Sequence, residues 1–169
     1  MIHLILFFLV GIAFITDARK SIIPNVLTLS GTLVGFFFHV STQGWNGLMF
    51  TLNGAVTGFT LLFLLHLLGA LGAGDVKLFV AIGALMGVTF VLQCIIYAIL
   101  FAGVIGLCLL LIRRQVTTTG HKFASWFISI VAFGDKGTLL NLKRQNNTKF
   151  PFMYAVAPAV MLAWYEVFK

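Results

Sequence analysis

An all-α, polytopic membrane helical bundle of about six transmembrane helices is the fold class this sequence predicts, on three observations. The chain has 169 residues, of which 60% are hydrophobic and only 9% charged, with a mean hydropathy of +1.08. That balance does not belong to a water-soluble globular domain. The apolar residues fall into runs near the roughly 20 that a helix needs to cross a bilayer core of about 30 Å. Short polar segments separate most of these runs.

The first run, Ile2 to Ile15, resembles the apolar part of a secretory signal, but no basic region precedes it. Thr16-Asp17-Ala18-Arg19-Lys20 is not a small-residue cleavage site, so the run reads as a first span at 2–16. Spans at 25–41 and 48–68 follow. Residues 78–112 are almost continuously apolar, and as one helix they would extend about 50 Å, too far for a single crossing. They read as a hairpin turning near Gln93, with spans at 77–92 and 94–112. A last span at 151–168 completes a single membrane-embedded domain, 1–169. Within the polar loop 113–150, "FASWFISIVAF" (123–133) is apolar but only 11 residues long, which suits a helix lying in the interface or packing on the bundle, with Trp126 at headgroup depth. Gly31 with Gly35 and Gly54 with Gly58 have the spacing that lets membrane helices approach closely.

The net charge of +7 has no soluble basic domain to carry it, so nucleic acid is not an expected partner. It fits membrane topology instead. With the N-terminus outside, ten of the eleven Lys and Arg residues fall on the cytoplasmic side, leaving only Lys169 outside. Cys94 and Cys108 lie in apolar stretches without CxxC spacing and read as buried small hydrophobes. No metal or cofactor is expected: His3, His39, His66 and His121 share no ligand spacing and read as interface or packing residues. Thr51, Asn53, Thr57 and Thr60 read as polar groups bonding neighbouring helices.

Four carboxylates remain: Asp17, Asp75, Asp135 and Glu166. Acids at membrane depth are costly and usually face a partner or an aqueous cavity. Asp17 and Asp75 stand at span ends with two complete crossings between them, so both return to the cytoplasmic face. If the first and fourth spans pack together, the two carboxyl groups would share a proton, the arrangement that aspartic proteolysis requires. Each also has a structural alternative. Asp75 suits the N-terminus of the fourth helix, where its charge complements the helix dipole. Asp17 could pair with Arg19 or Lys20 as a loop acid, although an acid at a helix C-terminus opposes the dipole. Asp135, between Gly134 and Gly137, reads as a turn residue, and Glu166 as an outer-interface residue. Gly72 and Gly74 could hold Asp75 in an unwound, tightly packed start to the helix.

"DARKSIIPN" (Asp17 to Asn25) and "GAGDVK" (Gly72 to Lys77) together resemble the two signatures of the type IV prepilin peptidases and archaeal preflagellin peptidases, the GxGD membrane aspartic proteases. The resemblance implies Asp17 and Asp75 as the catalytic pair, with Gly72, Gly74, Lys77, Pro24 and Asn25 shaping the site. It implies substrates of the prepilin, preflagellin or pseudopilin kind, with an N-terminal apolar helix, cut at the cytoplasmic face of the inner membrane. Pro24 also fits independently as an early residue of the second helix, where no amide donor is needed. Lys149-Phe150-Pro151-Phe152 loosely resembles the start of the family's final span. Larger bacterial members carry a cytoplasmic region with paired CxxC motifs and methylate the new N-terminus. This chain shows neither feature, so peptidase activity without methylation is expected, as in the short form of tight-adherence pilus systems. The alternatives are a noncatalytic membrane assembly or scaffold protein, and a small transporter using the two aspartates as a proton relay.

Overall fold

The computed structural model describes residues 2–69, 71–112 and 152–169, except for the side chains of 109–112. Five helices account for nearly all of them: α1 (Ile2–Lys20), α2 (Asn25–Gln43), α3 (Trp45–Leu67), α4 (Ala73–Ile112) and α5 (Met153–Val167). No strand occurs among the described residues. Met1–Ala102 and Phe150–Lys169 form the compact unit that carries the site; Gly103–Lys149 form a second, whose described part is the last stretch of α4. The readings for the loop 113–150, including its apolar segment 123–133, His121 and Asp135, lie outside the described residues, as does the 149–151 part of the expected start of the final span.

The fold class is all-helical, as expected, while length and composition among the described residues do not confirm the count of about six spans. Three helices among the described residues are long and apolar enough to cross a membrane: α1, α3 and Ala73–Cys108 of α4. The apolar character of α2 is diluted by Asn25, His39, Thr42 and Gln43. The 15 residues of α5 extend only about 22 Å. Outward faces are apolar all the same: Leu4, Phe8 and Val26 are 74%, 71% and 78% exposed. Such faces are at home against lipid.

Inside, α1 contributes Leu6, Leu9 and Ala13, α4 Phe79, Ile82 and Leu85, and α5 Val156 and Val160, all buried in one apolar core. Glycines set how closely the helices cross. A methyl on Gly54 of α3 would collide with the carbonyl oxygen of Gly83 in α4, and one on Gly83 with that of Gly54. The two backbones therefore touch directly, the contact that small residues permit in apolar surroundings where packing is the main attraction. Gly31 of α2 receives the Leu9 side chain, and Gly35 rests on the Ala84 backbone.

The hairpin expected near Gln93 is corrected to a sharp bend at Gly87, the one residue of α4 with non-helical dihedrals (φ 83°, ψ −176°). A Cβ placed on Gly58 would lie 2.6 Å from the Phe79 carbonyl oxygen and 3.3 Å from Val91 Cγ2. A straight helix would hold Phe79 and Val91 about 18 Å apart along its axis. Glycine adopts this positive φ without steric cost, and the Phe50 ring occupies the space that a side chain there would need. Gln93 continues the helix.

Two smaller readings also change. Thr57 and Thr60 do not bond neighbouring helices; their hydroxyls donate to Asn53 and Val56 carbonyls within α3. Cys94 is buried as expected, whereas Cys108 is exposed. His39 packs inside, in keeping with its packing expectation, with its ring 4.7 Å from that of Phe50, and its Nε2 bonds the Leu85 carbonyl at 2.9 Å, just ahead of the Gly87 bend.

Candidate active site

Asp17 occupies the last turn of α1. Its carbonyl accepts the Ser21 N–H at 2.8 Å, and Ser21 takes a left-handed φ of 49° that ends the helix. The side chain does not turn outward to Arg19 or Lys20, which are exposed. It is buried (7% exposed), and its Oδ2 accepts the backbone N–H of Met153 at 3.2 Å. Met153 begins α5, and Phe152 before it supplies no side-chain cap. The acid that its own helix dipole disfavours thus serves the positive end of another helix, and satisfies an amide that would otherwise lack a partner.

Four residues later the chain begins α2. Pro24 stands at the N-cap position in an extended conformation, and its carbonyl accepts the amides of Leu27 and Thr28 at 3.1 and 3.4 Å. Proline has no N–H to lose there, as expected, although it precedes the first helical residue instead of following it. Asn25 starts the helix, and its Oδ1 accepts a hydrogen bond from Lys77 Nζ at 2.9 Å. That bond ties the start of α2 to the first turns of α4.

Asp75 is the third residue of α4 and reaches back: its Oδ2 accepts the Gly72 N–H at 3.1 Å, while its own N–H donates to the Gly72 carbonyl at 3.2 Å. This is the acidic half of a capping box, so the simple N-cap expectation is moved three residues into the helix. Asp75 is 9% exposed. The two glycines before it act through space. Neither has a positive φ, which corrects the expected unwound start. A Cβ on Gly72 would lie 3.2 Å from Asp75 Oδ2, and one on Gly74 would lie 3.3 Å from the Cβ of buried Ile23. Bare backbone at both positions lets the carboxylate fold back and the 21–24 connection pack against α4.

The Asp17 and Asp75 carboxyl groups, from opposite ends of their helices, lie close enough to interact electrostatically, and the His66 imidazole also lies within electrostatic range of Asp75, with an influence opposite in sign to that of Asp17. All the expected site residues, Asp17, Pro24, Asn25, Gly72, Gly74, Asp75 and Lys77, meet at one end of the bundle. The sequence reading missed His66, whose signal was only its position nine residues before Asp75, at the end of α3. It missed Met153 as well, since a backbone amide carries no sequence signal. Glu166 lies far from this end along α5 and accepts a hydrogen bond from the Tyr97 hydroxyl. Near it, the His3 ring packs 4.4 Å from that of Phe168. Among the described residues no group of three or more His, Cys, Asp or Glu could hold a metal ion.

Apolar outer faces, three helices long and apolar enough to cross a membrane, and two buried aspartates at one end, in the last turn of α1 and the first turn of α4, give the described residues the character of a membrane-helix protein. The chain belongs to the type IV leader peptidase family, whose pattern it matches over residues 4–111. The matched region contains both aspartates and every expected site-shaping residue; Met153 and α5 lie beyond it. Comparison with curated proteins and with solved structures returns no match.

Proposed function

We propose that this leader peptidase family member is an aspartic endopeptidase of the cytoplasmic membrane, which removes the leader from type IV prepilin-like or pseudopilin substrates without methylating the new N-terminus. The observation that carries this reading is the meeting of Asp17 and Asp75, two of the four acids in the chain, buried and within electrostatic range at one end of the bundle. In the proposed reaction one carboxylate takes a proton from water as the oxygen attacks the scissile carbonyl carbon. The other carboxyl donates its proton to the carbonyl oxygen, and collapse of the tetrahedral diol expels the amine with a proton returned from the pair. The hydrogen bonds to the Met153 and Gly72 amides hold the two side chains in place for these transfers.

The site would face the cytoplasm, with the N-terminus outside, as the distribution of basic residues favours. On that orientation the two arms of α4 on either side of Gly87 would serve as separate membrane segments in a bundle of about six. The substrate's apolar helix would pack beside the spans, and recognition would rest on that segment more than on leader charge. A noncatalytic assembly role is the second reading, because the same two hydrogen bonds also give each aspartate a structural task. Co-expression with a prepilin, comparing wild type, D17N and D75N at equal membrane levels by gel shift, separates the two. Loss of cleavage in both single variants is the expected outcome; cleavage retained in either overturns the aspartic reading.

A further inference from the structure

The Leu71–Gly72 peptide group is held on both sides. Its carbonyl oxygen is bonded to His66 Nδ1 at 2.8 Å, and its N–H donates to Asp75 Oδ2 at 3.1 Å. A carbonyl oxygen only accepts, so Nδ1 carries the proton in this contact. The C=O and N–H of a trans peptide lie in one plane and point in opposite directions, so fixing the oxygen fixes the line along which the N–H points. Successive hydrogen bonds through one peptide also polarise each other in the same sense. The imidazole is therefore linked to the carboxylate through a single planar group.

The segment that carries this peptide needs such an anchor. Gly69 has a φ of 75°, Gly72 is exposed and Leu71 is half-buried. His66, by contrast, sits in the last turn of α3, half-buried. Its helix is fixed against α4 by the direct backbone contact at Gly54 and Gly83. Without the His66 donor, the Leu71–Gly72 plane could rotate, and the Asp75 carboxyl would lose its direction before it lost its place in the sequence.

We propose that His66 is a positioning residue for the leader-peptidase reaction, orienting the Asp75 carboxyl through the Leu71–Gly72 peptide. This rests on the aspartic endopeptidase reading above. It is tested by cleavage kinetics on a prepilin-like substrate with purified wild type, H66A, H66N and H66Q, with D75N as the reference for lost chemistry. Asparagine places an amide N–H near the position of Nδ1, whereas glutamine carries it one bond further out.

The expected result is a kcat reduced roughly 10- to 100-fold in H66A, the scale on which small misplacements of reacting groups act, with KM nearly unchanged. H66N should recover most of the loss and H66Q should not. Amide hydrogen exchange over residues 71–75 should quicken in H66A and stay near wild type in H66N. Wild-type kcat in H66A, or equal losses in H66A and H66N, overturns the positioning role while leaving the protease reading intact. A wild type that does not cleave, or a D75N that does, overturns the protease reading and this inference with it.

Discussion

The end of α1 and the start of α4 each carry one buried aspartate, and they hold it in opposite ways. Asp75 is fixed by its own helix, through an amide three residues back. Asp17 is fixed by a helix that begins 136 residues further along the chain. One site is local and is complete once a few residues have folded; the other exists only when α1 and α5 have docked. The difference separates what a carboxylate owes to sequence from what it owes to packing.

The largest effect should be common to both sites. D17N and D75N keep side-chain size and an acceptor oxygen but remove the titrating proton, and each should lower cleavage by at least roughly 100-fold, as expected for loss of a general acid or base. A gel-shift assay at matched membrane levels reads this directly. Full truncation should then set the two apart. Asp17→Ala leaves the Met153 amide buried without its partner and should cost about 1–3 kcal/mol, seen as earlier thermal unfolding and faster proteolysis near residue 153. Asp75→Ala frays one helix start, at about 0.5–2 kcal/mol, with little change around α5. If the two truncations loosen α5 equally, Asp17 has no special hold on it.

Gly72→Ala tests the local site alone. The added methyl would stand 3.2 Å from Asp75 Oδ2, and displacement of the carboxyl should reduce kcat roughly tenfold with normal membrane levels. The smallest effect is expected for Lys77→Met. It removes an exposed hydrogen bond to Asn25, should cost about 1 kcal/mol or less in thermal stability, and should leave cleavage close to wild type.

The local half of this comparison was legible in the sequence. Gly72, Gly74 and Asp75 are neighbours, and a glycine pair before an acid at a helix start states its own geometry: the expected tight packing is present and the expected unwinding is not. Proximity of Asp17 to Asp75 was expected from reading two spans, 25–41 and 48–68, between them. The Met153 amide could not be expected, because any residue but proline supplies the same N–H. The turn in α4 was misplaced because Gln93 is the polar residue in an apolar run, whereas the chain bends at one glycine among 17. What singles out Gly87 is the Phe50 ring of α3 lying where a side chain would go, and a tertiary contact of that kind leaves no local mark. His66 was passed over for the same reason: its partner is a backbone carbonyl.

The bond between Asp17 and Met153 also imposes an order on biosynthesis. A ribosome that has delivered α1 to α4 into the membrane has already supplied both aspartates, Lys77 and the glycines. The amide that fixes Asp17 is still unmade. The Asp17 bond is therefore made only after residue 153 has emerged and α5 has docked, so a side chain of the first helix waits for its partner until α5 is in place.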